Sequence, residues 1–165
     1  MCNSVFWCTL VGMRKKKYRK VYELVNPVQF AIEGAAVTDQ QTLDKLRAME
    51  LTSIEAFRTG SATIEDWKKM ADICNVTESM AKAGIGPEAM DAVRRGHEAL
   101  LDAHRRYVET NRMGTTAQGL TAFRDVYEYH DLQRQSVARS VYERHIGLVV
   151  NKIRSNAPDV VRVKG

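Results

Sequence analysis

Apolar residues recur at the helical period through most of this chain, and each run is framed by recognisable start and stop signals. Asn26 and Pro27 read as an N-cap and a first-turn proline, opening a short helix "VQFAIE" that Gly34 can end. Thr38 and Gln41 have capping-box spacing ahead of Leu43, Leu46, Met49, Ile54 and Phe57, with Gly60 as a stop, which predicts a helix over about 39–58. Thr63 and Asp66 open the next run, whose stripe is Ile64, Trp67, Met70, Ala71, Cys74 and Ala81, closed by Gly84. Gly86 and Pro87 start a fourth run, with Met90, Val93, His97, Leu100, Leu101, His104, Tyr107 and Val108 as its expected inner face, ending near Met113 and Gly114. From the cap "TTAQ" at Thr115 to Gln118 the longest pattern follows: Leu120, Phe123, Tyr127, His130, Val137, Val141, His145, Leu148 and Val149. With no proline before Pro158 it predicts one helix of nearly forty residues, with Gly147 as the point of fraying.

No stretch alternates apolar and polar residues as a half-buried strand does, and no Asn-Gly hairpin signal occurs. The expected fold is therefore all-α: a bundle of four to five helices with a long C-terminal helix and a basic N-terminal arm. A chain of 165 residues can bury one sizeable core. Residues 26–153 are expected to form that single domain, behind an apolar leader and basic arm at 1–25 and ahead of a flexible tail at 154–165.

Charge sharpens this division. The formal net charge is +5. Residues 1–25 hold six basic side chains (Arg14, Lys15, Lys16, Lys17, Arg19 and Lys20) against Glu23, while the rest of the chain balances nineteen basic groups with nineteen acidic ones. The stretch "MRKKKYRK" thus carries the whole imbalance. Lysines and arginines that neutralise phosphates release counterions, so such an arm can bind nucleic acid without reading its sequence. Tyr18, inside the run, could stack on bases. The candidate nucleic-acid contacts are Arg14, Lys15, Lys16, Lys17, Tyr18, Arg19 and Lys20; the same charges also suit an acidic protein surface or a solubilising tail.

The leader "MCNSVFWCTLVG" is apolar, but its charges follow the apolar run and no small-residue cleavage site closes it, unlike a signal peptide. It is far short of the roughly 20 residues that span a bilayer. Translation is expected to start at Met13, with residues 1–12 an upstream extension. Cys2, Cys8 and Cys74 cannot build a disulfide framework or a four-cysteine zinc site, so a reducing cytoplasm is the expected compartment and Cys74 a small buried hydrophobe. The acceptor pattern Asn75 to Thr77 falls within a predicted helix and is discounted.

Catalytic signatures are wanting. His97 and His104 share a helical face but stand roughly 10 Å apart along the axis, too far to hold one ion unaided. No Glu-x-x-His pair of the di-iron bundle type occurs. The spacing of Glu128, His130 and Asp131 in "YEYHDLQ" spreads them around a helix, and "AGIGPEAM" lacks the lysine and the preceding strand of a phosphate loop. The histidines read as core or boundary residues with a satisfied hydrogen bond; a metal-dependent bundle enzyme using His97, His104 and His130 is the alternative. Phe57, Trp67, Phe123 and Tyr127 fit core positions, and Tyr142, with Arg139, Arg144 and Lys152, fits an exposed basic helix face. No catalytic residue, cofactor or metal is expected.

Read from Met13, the order of "RKKKYR", the "NP" helix opening, "TGSATIED", "VTESMAKAGIG" and "YEYHDLQ" resembles a family of small helical proteins from phages and prophages of Proteobacteria, over most of the chain to about residue 150. The resemblance implies a mobile-element accessory protein that acts by stoichiometric binding, and it brings no active-site residues. The expected function is non-enzymatic: the arm contacts nucleic acid or a nucleic-acid-associated host machine, in a regulatory or anti-defence role, in the host cytoplasm and without a membrane. The rival is a structural or assembly protein that forms a homodimer or larger oligomer through its long last helix.

Overall fold

The computed structural model describes residues 36–158. The basic arm, the Asn26–Pro27 helix opening and the end of the expected tail lie outside the described residues.

The described chain is all-helical: α1 (Gln40–Thr59), α2 (Ile64–Lys82), a single 3-10 turn (Pro87–Ala89) that runs into α3 (Met90–Thr110), α4 (Ala117–Ser136) and α5 (Arg139–Arg154). Local chemistry sets most of the ends. Thr63 and Asp66 form the expected reciprocal capping box on α2. Gly60, at φ +72°, takes the left-handed turn that closes α1. Behind α2, Gly84 at φ +85° lets Ile85 N reach back to Met80 O at 3.0 Å. Two caps lie one residue beyond the expected position. Asp39, and not Thr38, caps α1 by accepting from Thr42 N at 3.0 Å, where its charge also suits the positive helix end. Thr116 does the same for α4 with Gly119 N.

The long C-terminal helix is a correction. It breaks at Val137 and Ala138, both extended, into α4 and α5. A forty-residue helix would be about 60 Å long and would carry its second half off the bundle. The break instead lets Val137 join a small apolar cluster around Val76, Met80 and Val149, and lays α5 back along α2. Gly147, the expected weak point, sits inside α5.

The main core gathers Phe57, Trp67, Met70, Leu100, Phe123 and Val126 from α1 to α4. Cys74 is fully buried there, as expected, and burial pushes its thiol up, so that it stays neutral. On α3 the inner face differs from the expected one. Leu101 is 55% and Val108 71% exposed, while Ala92, Gly96, Ala99 and Ala103 face inward. These small residues let α3 and α4 approach closely. A Cβ on Gly96 would stand 2.9 Å from Val126 Cγ2 and 3.1 Å from Cys74 Sγ. The two loops at one end of the bundle are also joined through a bridge between Ala62 and Met113, and Thr115 N donates to Phe57 O in the last turn of α1.

Two glycine substitutions should move stability in opposite directions. Gly96→Val overfills the α3–α4 contact and is expected to cost about 2–3 kcal/mol. Gly147→Ala meets no atom within 4 Å of its new Cβ and should gain about 0.5–1 kcal/mol from helix propensity. Urea unfolding of both variants checks this pair of signs.

Candidate functional site

The densest polar chemistry among the described residues lies where α1, α2, α4 and α5 meet. On α4, His130, Asp131 and Arg134 fall within little more than one turn; on α1, Arg47 and Glu50 are three residues apart. Packing α1 against α4 aligns the two sets. Arg134, whose side chain is fully shielded from solvent, donates to Glu50 Oε1 at 2.8 Å and Oε2 at 3.2 Å, and to Asp131 Oδ1 at 2.7 Å. Arg47 clamps Asp131 from the other side, with contacts of 2.8–3.0 Å. The result is an alternating chain of two guanidinium and two carboxylate groups, in which each carboxylate is held by at least one two-pronged contact.

Burial and partners act differently on the members. Burial pushes the Glu50 carboxyl up, more than the Arg134 guanidinium pulls it down. Burial would likewise raise Asp131, but the hydrogen bonds from Arg47 and Arg134 outweigh it and hold that carboxyl below its ordinary value. His130 is buried beside this cluster, and desolvation together with the Arg134 charge takes its ring down to about 3. The ring is neutral at physiological pH. Its Nδ1 lies 3.1 Å from Thr77 Oγ1 on α2 and its Nε2 3.0 Å from the Tyr142 hydroxyl on α5. A single imidazole thereby links three helices.

Tyr142 is thus a correction: it is half-buried and turned toward His130, while Arg139 on the outer face pairs with Glu143. Glu128 stays exposed and apart from the cluster. The other histidines are also separated. His104 leans on the Trp67 ring with centroids 6.0 Å apart, His145 Nδ1 meets Ser79 Oγ at 2.9 Å, and His97 is half-buried on α3. Among the described residues no group of three or more His, Cys, Asp or Glu side chains is placed to hold a metal ion. Asn75 and Thr77 of the glycosylation pattern are buried within α2. No helix among the described residues is long and apolar enough to cross a membrane.

Above the cluster a cleft of about 260 Å³ opens between α1, α2 and α5. Leu46, Met49, Ile73, Ile146 and Val149 give it apolar walls, and Glu50, Lys69, Asp72, His130 and Tyr142 are its polar lining. The expected nucleic-acid contacts, Arg14 to Lys20, lie outside the described residues. Arg47, Glu50 and Arg134 escaped sequence reasoning. Their partners lie 84 positions away in the chain, so no local spacing announces them. The one local sign was Asp131 three residues before Arg134, a pairing common on solvated helices. Comparison with protein-family models, curated proteins and solved structures returned no match.

Two measurements probe the cluster. Arg134→Met leaves Glu50 buried without its cation and is expected to cost about 3–5 kcal/mol, and adding Glu50→Gln should recover part of that loss in urea unfolding. The second concerns pH. The His130 ring is depressed in the folded state, so between about 3 and its ordinary value near 6.5 the unfolded chain binds the extra proton. Its contribution is complete above about pH 6.5 and is lost as the pH falls, by about 2 kcal/mol at pH 5. An NMR titration should find the His130 ring unprotonated from pH 7 down to pH 5.

Proposed function

We propose that this is a non-enzymatic binding protein of phage or prophage origin, whose basic arm engages nucleic acid or a nucleic-acid-associated host machine in a regulatory or anti-defence role in the host cytoplasm. The partition of charge carries this reading. Residues 36–158 hold seventeen basic and seventeen acidic side chains, whereas six of the seven charged residues in 1–25 are basic. A polyanion approaching the chain meets its net attraction at Arg14 to Lys20. Binding is favoured over catalysis by the state of the titratable groups in the body. Glu50 and Asp131 are committed to arginines, and both ring nitrogens of His130 are held by Thr77 and Tyr142, so none of the three is free to serve as a base. The resemblance of its order of helical landmarks to that of small phage and prophage proteins is what supports the assignment to a mobile element.

In gel-shift titrations across salt, the intact chain should bind nucleic acid with an affinity that falls steeply as salt rises. The Lys15→Ala/Lys16→Ala/Lys17→Ala variant should bind more weakly, with a slope shallower by about two to three. Equal, salt-insensitive behaviour of the two chains contradicts the reading.

An assembly role is the second reading, favoured by apolar side chains open to solvent on the outer helices, Leu148 on α5 and Met49 on α1. It predicts a dimer or larger oligomer in light scattering that Leu148→Glu disperses. A monomer at every concentration sets it aside.

A further inference from the structure

We infer that the loop end of the bundle carries a second nucleic-acid contact, a cleft that seats the phosphate backbone of duplex DNA. This inference rests on the nucleic-acid reading proposed above and extends it from the arm to the folded body.

The cleft, about 720 Å³, opens where the C-terminal turns of α1 and α3 meet the paired loops. Arg58, Arg106 and Arg112 line it, and no carboxylate does. That composition stands out in a body whose charges cancel overall, and in which six of the other nine arginines are matched to acids. Arg94 and Arg95 share Asp91, Arg105 holds Asp102, and Arg139 holds Glu143. Arg58 is clasped by Glu55, one turn back on α1, but Arg106 and Arg112 form no ion pair among the described residues. Two arginines with no ion pair among the described residues therefore line one opening.

The positions of these arginines are fixed by the fold. Arg112 follows Asn111, the left-handed cap of α3, and precedes Met113, which is buried and bridged to Ala62. Its backbone N–H is anchored on Thr110 Oγ1 at 3.3 Å, and the same hydroxyl donates to Arg106 O at 2.7 Å. One threonine thus ties the two arginines to a common frame. Beneath them Gly114 packs so close to Gly60 that a Cβ on Gly114 would stand 3.2 Å from Gly60 Cα. Side-chain bulk is absent from this floor, and a ligand backbone can come close.

The choice of duplex follows from what the cleft lacks. Single strands are held by aromatic platforms on which bases stack. Phe57, the aromatic residue in this lining, is fully buried and packed on Phe123, with ring centroids 4.9 Å apart. Guanidinium groups without a stacking surface contact phosphates and position a protein on DNA without reading bases. Arg–phosphate pairs are frequently bidentate, which suits arginine better than lysine here.

The test is fluorescence anisotropy with a labelled 20-base-pair duplex of arbitrary sequence and its single strand, across a salt series. Four full-length chains are compared: intact, Arg106→Ala/Arg112→Ala, Arg106→Lys/Arg112→Lys, and Lys15→Ala/Lys16→Ala/Lys17→Ala. The alanine pair should make the slope of log affinity against log salt shallower by about two, and weaken binding at low salt by roughly tenfold. The lysine pair should keep most of the slope, and all chains should melt within a few degrees of one another. An unchanged slope in the alanine pair, while the arm variant loses binding, overturns the cleft and leaves the arm reading standing. Loss in the alanine pair with an unaffected arm variant supports the cleft and removes the arm. Tighter binding of the single strand, or no binding of either nucleic acid by the intact chain, overturns the inference.

Discussion

The bundle is organised around one buried cation. Arg134 leaves α4 with its side chain wholly out of solvent, and it is stable there because Glu50 from α1 and Asp131 from its own helix surround it. A charge of this kind is costly to bury alone and tolerable when its partners are fixed in advance. Satisfying it requires α1 to lie against α4 in the register that brings Glu50 to Arg134. Arg47, which reaches Asp131 from α1, adds a second constraint on the same register. His130 then carries the constraint outward, to α2 through Thr77 and to α5 through Tyr142.

This arrangement bears on function through what it consumes. Glu50, Asp131, Arg134 and His130, the densest set of titratable groups among the described residues, are engaged with one another and with neighbouring side chains across helix interfaces. The net charge of the chain lies elsewhere, in the arm by sequence, and Arg106 and Arg112 at the loop end of the bundle are among the body's cations that form no ion pair among the described residues.

The helical elements were legible wherever local chemistry decided them. Thr63 with Asp66, Gly60 and the Gly84–Pro87 connector are signals contained within a few residues, and they mark ends that the fold retains. The inner stripe of α2 was equally plain, since Trp67, Met70 and Cys74 repeat at one face. What escaped was set by tertiary contact. The break at Val137 has no proline or glycine beside it; its cause is the burial that α5 gains against α2, which periodicity cannot register because both halves keep the same period. On α3 the larger residues Leu101 and Val108 outweighed the alanines in the pattern, although close approach to α4 favours the small ones. Arg134 was hidden because its principal partner, Glu50, lies on another helix.

The proposed division between a self-paired cluster and cationic contacts in the arm and at the loop end can be tested in one titration. Duplex DNA added to isotopically labelled full-length protein should shift the NMR resonances of Arg14 to Lys20 and of Arg106 and Arg112, while the His130 ring and the backbone of Glu50 and Tyr142 stay in place. Shifts concentrated at Glu50, His130 and Tyr142, with the arm and the loop-end arginines unmoved, would contradict it.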